Sequence, residues 1–311
     1  MGFVRSVRHG DQQRFRGAHV NRATAIGGLA ILLWSCLATL AVVTRRLPPF
    51  ETLALSFGIA FAAGMAMLAA RRRLARLRQN WRAWGLGFAG IFSYHALYFV
   101  ALDQAPAAEA SLINYLWPLL IVLFSALLPG ERLRPRHVAG AAIGLAGTAL
   151  IVLAGAGFAG RGTALGYACA FAAAFAWAGY SVANRALRAV PSDLIAGVGG
   201  LVALAALLVH GLAEPNVAPN GAEWMALAGL GLGPVGLAFF FWDHATKHGD
   251  LATLGTLSYA TPLLSTGLLV LCGEARAGVG LALAAALIVG GAAVSVGLPR
   301  LIPPAASNPS R

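Results

Sequence analysis

Ten apolar runs, each about as long as a bilayer crossing, restrict the fold of this chain more than any other feature of its sequence. A helix needs about 20 apolar residues to cross a hydrocarbon core of about 30 Å. Inside lipid every backbone polar group must find an internal partner, and helices provide this within each segment. We therefore predict an all-α integral membrane protein with ten transmembrane helices. The predicted spans cover approximately residues 23–43, 50–70, 83–102, 106–128, 137–155, 163–184, 193–212, 222–242, 250–272 and 278–298.

Composition supports a membrane protein over a soluble one. The hydrophobic residues make up 59% of the 311 residues and the charged residues only 11%, whereas soluble domains average about 45–50% apolar and about 25% charged residues. The net charge of +12 lies in short loops and at the chain ends, without a nucleic-acid-binding motif. We expect the lipid bilayer as partner, no nucleic acid, and no obligate protein partner.

The reactive side chains form no pattern typical of an enzyme or a metalloprotein. Cys36, Cys169 and Cys272 lie in or beside apolar runs without metal-ligand spacing, which favours small packing residues over a disulfide framework. No HExxH motif, GxSxG motif or carboxylate pair is present. We predict no catalytic residues, no metal and no cofactor.

The basic residues predict the orientation. If the N-terminus is cytoplasmic, nineteen Lys and Arg residues fall on the inside and four on the outside, which follows the positive-inside rule. Residues 1–22 lack the apolar core and cleavage site of a signal peptide. We predict a cytoplasmic N-terminal segment over 1–22 and a cytoplasmic, disordered tail over 299–311.

The two halves of the chain resemble each other. The stretch from Trp34 to Pro48 aligns with residues 177–191 at an offset of 143, and Gly130-Glu131 returns as Gly273-Glu274 at the same offset. Each half holds five predicted spans, so the second copy is inverted relative to the first. We predict repeats over 23–155 and 156–298, an arrangement typical of secondary transporters; chance similarity between Ala-, Leu- and Gly-rich helices is the alternative.

Proline recurs inside two corresponding spans. Residues 114–120 read NYLWPLL and residues 258–264 read SYATPLL. A proline within a helix frees a carbonyl and bends the helix, which lipid tolerates only beside a neighbouring helix or a wet cavity. Four residues of spans four, eight and nine are predicted hinges: Pro118, Pro262, Gly233 and Pro234.

Small residues also recur at helical spacing. Gly140-x-x-x-Gly144 and Gly229-x-x-x-Gly233 favour close helix contacts, either within one chain or between chains.

With these features, the sequence resembles the drug/metabolite transporter superfamily, in its EamA-type exporters. The carriers of the resemblance are the ten spans, the two five-helix repeats and the Gly-Glu pair after spans four and nine. The stretch from Ile113 to Leu153 is most similar to the YddG-like branch of aromatic amino acid exporters. The resemblance implies export of aromatic amino acids through a central cavity in the bacterial inner membrane.

Aromatic and polar side chains near the middle of several spans are candidates for contact with an aromatic amino acid. An aromatic wall can stack on the ring, and a few polar groups can hold the charged end. The alternatives are interhelical hydrogen bonds, close packing and interfacial aromatic belts. The candidate substrate-binding residues are Trp34, Tyr94, His95, Tyr98, Ser111, Asn114, Tyr115, Trp117, Trp177, Tyr180, Ser181, Trp242 and Tyr259.

Charged side chains are missing from the middle of every predicted span, and Asp243 and His244 are expected at the interface. Proton-coupled exporters generally use a deep carboxylate, so the sequence favours passive movement by alternating access. A proton carried by His95 is the alternative to passive movement. The alternative function is a broad-specificity, proton-coupled drug or metabolite exporter of the same superfamily.

Overall fold

Helices make up all the regular structure in the part of the chain that the computed structural model describes, residues 21–129, 133–156, 162–273 and 278–296. The α-helices are α1 (Arg22–Ser35), α2 (Leu37–Thr44), α3 (Pro49–Ala70), α4 (Trp81–Gln104), α5 (Ala107–Asn114), α6 (Trp117–Ser125), α7 (Pro135–Ala156), α8 (Ala164–Ala183), α9 (Leu194–Ala213), α10 (Gly221–Leu232), α11 (Ala238–His248), α12 (Leu251–Leu257), α13 (Ala260–Leu271) and α14 (Val279–Val296). Two 3₁₀ turns, Leu74–Leu77 and Asn184–Leu187, and a π-helix, Gly233–Leu237, complete the set.

Within those ranges, nine stretches are long and apolar enough to cross a bilayer. They correspond to nine of the ten predicted spans, and the all-helical membrane architecture is confirmed at that level. The predicted fourth span, 106–128, is instead divided into α5 and α6. Its apolar helical stretch is shorter than each of the nine stretches above.

Both sequence-predicted proline interruptions are present. The chain leaves the helix at residues 115–116, between α5 and α6, and at residues 258–259, between α12 and α13. Pro118 and Pro262 cannot donate to the carbonyls four residues earlier, those of Asn114 and Ser258, so the regular ladder fails there. A third interruption is the π-helix around Pro234, a common form of local bulge in long helices.

The two interrupted spans lie side by side. A Cβ added at Gly255 of α12 would stand 2.6 Å from the carbonyl oxygen of Pro118. Only glycine permits this approach of one backbone to the other. A Cβ at Gly144 would likewise meet the ring of Tyr259 at 2.6 Å. The irregular backbone is therefore enclosed by protein rather than exposed to lipid, as membrane burial requires.

The main packing partners come from opposite halves of the chain. Helix α3 packs along α9, α7 along α14, and α6 along α12, while α4 packs on α8 and α1 on α11. In the α7–α14 pair, a Cβ at Gly140 would meet the carbonyl oxygen of Gly291 at 2.5 Å. The Gly140-x-x-x-Gly144 motif therefore serves a contact within the chain.

Each end of the bundle joins loops from both halves. At the end that holds residue 47, termed the Leu47 end, Arg46 forms a salt bridge of 2.6 Å with Glu223, and this hydrogen bond raises the pKa of the Arg46 guanidinium. The Glu214 carboxylate accepts from the backbone N–H of Phe50 at 3.0 Å, so it caps the start of α3.

The opposite end, which holds residue 21, is termed the Asn21 end. Asn21 donates from Nδ2 to the carbonyl of His248 at 3.0 Å. Arg185 donates to the carbonyls of Lys247 and Gly249. These bonds join the start of α1 and the end of α8 to the end of α11. The predicted 1–22 and 299–311 segments lie outside the described residues, apart from residues 21 and 22, and so do Gly130, Glu131 and Glu274.

Candidate substrate cavity

A cavity of about 450 Å³ lies between the middle of the bundle and the Leu47 end, large enough for a small amphipathic molecule. Its wall takes residues from both halves of the chain. They are Trp34, Leu37, Ala38, Ala41, Thr44, Thr52, Leu53, Ser56, Tyr94, His95, Tyr98, Phe99, Asn114, Tyr115, Trp117, Trp177, Leu230, Pro234, Val235, Phe239 and Thr261.

Eight of the thirteen candidate residues line this cavity, together with the predicted hinge Pro234. The eight are Trp34, Tyr94, His95, Tyr98, Asn114, Tyr115, Trp117 and Trp177. The remaining five are not part of the wall: Ser111, Tyr180, Ser181, Trp242 and Tyr259. Ser111 still contacts the wall, because its hydroxyl is 2.9 Å from that of Tyr98.

Four tryptophans, termed the tryptophan cluster, meet at the inner end of the cavity. The rings of Trp34, Trp117, Trp177 and Trp242 are all in mutual contact, with centroids 5.0 to 6.5 Å apart. The first three face the cavity, whereas Trp242 is fully buried behind them. Most of the pairs are edge-on or tilted, the arrangements that the ring quadrupoles favour.

One of these indoles is bonded to the π-helix. Trp34 donates from Nε1 to the carbonyl oxygen of Pro234 at 3.0 Å. The bond lies in the buried interior and joins α1 to the irregular turn between α10 and α11. This bond holds the Trp34 side of the cavity against the π-helix, whose backbone hydrogen bonds are shifted by one residue relative to an α-helix.

The cavity also has a phenylalanine wall around His95 that sequence reasoning did not select. Phe99 and Phe239 belong to the cavity wall, and the His95 ring lies 6.3 Å from the first and 6.2 Å from the second. Phe239 corresponds to His95 at an offset of 144, the offset that also relates Pro118 to Pro262, and this correspondence was the available signal. Nδ1 of His95 lies 2.8 Å from the carbonyl of Ile91. Because a carbonyl only accepts, Nδ1 carries the hydrogen and Nε2 is left as acceptor in the neutral ring.

A tyrosine pair orients Asn114. The rings of Tyr94 and Tyr98 are stacked, with centroids 6.0 Å apart. Asn114 donates from Nδ2 to the Tyr94 hydroxyl at 3.2 Å, and this leaves its acceptor Oδ1 without a partner in the described chain. The asparagine is 4% exposed.

Two hydroxyls share this condition and were missed from the sequence. Ser56 Oγ and Thr261 Oγ1 are buried and line the cavity, with no hydrogen-bond partner among the described residues. Most Ser and Thr side chains within helices donate to a carbonyl one turn back. An isolated hydroxyl in an apolar run is too common to mark a site, and only the packing of α3 against its neighbours identifies Ser56.

On the far side of the tryptophan cluster from the cavity lies a second set of polar residues, termed the buried polar network: Ser181, Asn184, Asp243, Thr246 and Lys247. Trp242 donates from Nε1 to Ser181 at 3.0 Å. Asn184 donates to Asp243 Oδ1 at 3.0 Å and to Thr246 at 2.9 Å. Lys247 donates to Asp243 Oδ2 at 2.8 Å.

Asp243 is predicted near the membrane interface, and the structure shows that protein side chains enclose it. Its side chain is buried, with the residue 3% exposed, and so is that of Lys247 at 2%. Helix α11 runs on to His248, beyond the predicted limit of 242, and this face packs against the 3₁₀ turn Asn184–Leu187. Lys247 also donates to the carbonyl of Val190 at 3.0 Å, so the buried ammonium has two partners. His244 is half-buried.

A family model, curated relatives and a solved structure all match most of this chain. The model of the EamA-like transporter family matches residues 24–153 and again residues 164–297. A protein of Ancylobacter novellus named aromatic amino acid exporter YddG is 54% identical, over 89% of this chain and 98% of its own. The namesake of Salmonella typhimurium is 29% identical, over 80% of this chain and 88% of its own. A solved crystal structure superposes with a TM-score of 0.84 at 53% identity, covering 88% of this chain and 96% of that one.

Proposed function

This chain belongs to the EamA-like transporter family, and from that premise we propose that it exports aromatic amino acids by passive alternating access through the cavity. It is a multi-pass protein of the bacterial inner membrane. The relatives compared are named exporters rather than enzymes, and the 54% identical one is named an exporter of aromatic amino acids.

The observation that carries the substrate class is the make-up of the cavity wall. Three indoles, three phenol rings and a phenylalanine–histidine group surround about 450 Å³, while the polar atoms are few and uncharged. Edge-on and stacked contacts of a ligand ring with such a wall contribute about 0.5–1.5 kcal/mol each beyond burial. A small polar set beside them suits the zwitterionic end of an amino acid.

In this proposal the chain has ten spans in two inverted repeats, over 23–155 and 156–298, with α5 and α6 together as the fourth span. The two matches of the family model, over 24–153 and 164–297, support this division. The packing supports it as well, since exchanging the halves exchanges the α1–α11 pair with the α4–α8 pair. Nineteen basic residues against four favour cytoplasmic termini.

With that orientation the Leu47 end faces outward and the Asn21 end faces the cytoplasm. Transport then requires the cavity to become accessible from the Asn21 end, where the buried polar network now lies. The interruptions at Pro118, Pro234 and Pro262 are the proposed hinges, since irregular backbone absorbs changes in helix direction at low cost.

Passive movement is proposed because, among the described residues that line the cavity, none is Asp, Glu, Lys or Arg. A carboxylate that exchanges a proton for substrate is the usual coupling device within a membrane. His95 is the titratable residue that a coupled alternative requires, and its Nε2 is the available position.

The test is uptake of labelled tryptophan and phenylalanine into liposomes that carry the purified protein, with and without a pH gradient. We expect uptake that exceeds protein-free liposomes, does not respond to the pH gradient, and falls in Trp177→Ala. Trp177→Phe is the comparison variant: it keeps an aromatic face and should lose less uptake than Trp177→Ala. Uptake that follows the pH gradient and is lost in His95→Gln would replace passive movement with proton coupling.

Absence of uptake from folded protein would contradict the aromatic amino acid assignment. It would favour the rival reading, a broad-specificity drug or metabolite exporter of the same superfamily. Competition by apolar cations for the cavity would then identify that rival directly.

A further inference from the structure

The cavity holds three buried polar atoms whose usual partners are missing. Asn114 Oδ1, Ser56 Oγ and Thr261 Oγ1 have no hydrogen-bond partner in the described part of the chain, and all three residues line the same cavity. A buried polar group without a partner has lost its hydrogen bonds to water without replacement, which destabilises the fold. Native proteins retain such groups mainly where a ligand, water or ion completes them.

The position of these three residues, termed the head-group set, gives them a common role. Ser56 comes from α3, Asn114 from α5 and Thr261 from α13, so three separate spans bring one polar group each to one apolar cavity. Asn114 is held in place by its bond to Tyr94, and the Tyr94 ring in turn lies 5.2 Å from Trp177. The polar group is thus fixed next to the aromatic wall.

The chemistry of the set differs from that of a charged site. Asn114 Oδ1 can only accept, whereas the two hydroxyls can donate. Among the described residues of the wall none carries a carboxylate, ammonium or guanidinium group. An ion with a single charge in such a place keeps an uncompensated charge in low dielectric, which is unfavourable. A zwitterion brings both charges together and needs only neutral partners.

We propose that Ser56, Asn114 and Thr261 select ligands that carry an α-ammonium and an α-carboxylate together, and reject analogues that carry one charge alone. Asn114 Oδ1 accepts from the ammonium group, and the Ser56 and Thr261 hydroxyls donate to the carboxylate. This inference rests on the proposed function and adds to it the basis of selectivity. The aromatic wall contacts the ring of the ligand, and the head-group set recognises its ammonium and carboxylate groups.

The experiment is competition for labelled phenylalanine on the purified full-length protein in lipid nanodiscs at pH 7. The competitors are phenethylamine, which lacks the carboxylate, and 3-phenylpropionate, which lacks the ammonium. Each keeps the ring. We expect both to bind at least about tenfold more weakly than phenylalanine, equivalent to about 1.4 kcal/mol.

Three variants then assign the partners. Asn114→Asp keeps the shape and adds a negative charge, so we expect it to shift the preference toward phenethylamine by about tenfold or more. Ser56→Ala and Thr261→Val are expected to weaken phenylalanine and 3-phenylpropionate while leaving phenethylamine nearly unchanged. If these residues had a merely structural role, their substitution would lower the affinity for all three ligands equally.

Thr148→Val is the matched control. Thr148 also has a fully buried hydroxyl without a partner among the described residues, but it is not part of the cavity wall. We expect it to leave the ligand order intact. If Thr148→Val had the same effect as Thr261→Val, the assignment would be overturned.

The two proposals fail in different ways. Wild-type protein that is transport-competent for phenylalanine but binds phenethylamine or 3-phenylpropionate within about threefold of it, or about 0.6 kcal/mol, would overturn the selectivity inference alone. Folded protein that neither binds nor transports phenylalanine would overturn the proposed function and the inference together.

Discussion

The cavity and the buried polar network contain the same types of residue, asparagine and tryptophan, in different states of hydrogen bonding and exposure. Asn114 in the cavity keeps its Oδ1 unpaired, whereas Asn184 in the network donates to Asp243 and Thr246. Trp177 faces the cavity, whereas Trp242 is fully buried and bonded to Ser181. Residue type therefore does not distinguish the cavity from the buried polar network; the two asparagines differ in how completely they are hydrogen-bonded.

The largest effect on stability is expected from substitution of Asp243 in the buried polar network. Asp243→Ala leaves the Lys247 ammonium buried with one carbonyl partner, and we expect a loss of about 3–5 kcal/mol in the free energy of unfolding. Unfolding in mixed micelles with increasing dodecyl sulfate measures this loss.

Asp193→Ala is the matched control, because it removes an aspartate from an ion pair whose Arg76 side chain is 49% exposed. That change is expected to cost at most about 1 kcal/mol. Equal losses in the two variants would mean that the burial of the Asp243–Lys247 pair has no energetic consequence.

The two asparagines give the next largest contrast. Asn184→Ala removes the donor to Asp243 Oδ1 and to Thr246, so we expect it to destabilise the fold by about 1–3 kcal/mol. Asn114→Ala removes a single bond to Tyr94 and is expected to change stability by about 1 kcal/mol or less.

Transport assays should show the reverse order for the asparagines. Asn114→Ala is expected to raise the KM for phenylalanine about tenfold, whereas the folded fraction of Asn184→Ala should keep the wild-type KM. A rise of KM in Asn184→Ala equal to that in Asn114→Ala would remove the distinction between the two regions.

The tryptophans test the same contrast at smaller amplitude. Trp242→Phe removes the donor to Ser181, and we expect a loss of about 1 kcal/mol in stability with no change in ligand affinity. Trp177→Phe should act mainly on affinity, since its ring faces the cavity. Affinity for phenylalanine and the unfolding midpoint, measured on both variants, separate these results.

The smallest expected effect is at the two prolines. Pro118→Ala or Pro262→Ala returns a donor to the helix and allows one more backbone bond, worth about 1 kcal/mol. If these interruptions serve as hinges, the variants should lower the turnover rate while leaving the KM nearly unchanged. Single-turnover and steady-state uptake, compared at saturating phenylalanine, measure this split; an unchanged turnover rate would contradict the hinge role.

Local rules predicted those features that depend on one segment. Pro118 and Pro262 marked the interruptions because a missing N–H has its effect four residues away in the same helix. Span positions followed from run length, and most of the aromatic side chains of the cavity wall followed from aromatic groups near the middle of spans. Trp34, His95 and Asn114 were found in this way, and the structure places all three in the cavity wall.

Features that depend on which helices meet were not predicted. Asp243 and Lys247 lie near the end of a span, where a charged side chain is ordinarily exposed, and contacts with the 3₁₀ turn Asn184–Leu187 and with residue 190 bury them. Ser56 and Thr261 differ from most helical hydroxyls only because they have no hydrogen-bond partner among the described residues. Such differences arise from packing between distant segments, which a single sequence does not reveal.

The tryptophan cluster has an optical consequence. Four indoles with centroids 5.0 to 6.5 Å apart are close enough for their excited states to couple, so their near-ultraviolet circular dichroism belongs to the group and not to any one ring. The coupled rings come from α1, α6, α8 and α11, which are segments of both halves. A movement of one half against the other therefore changes the spectrum, and the native protein carries its own unlabelled reporter of conformation.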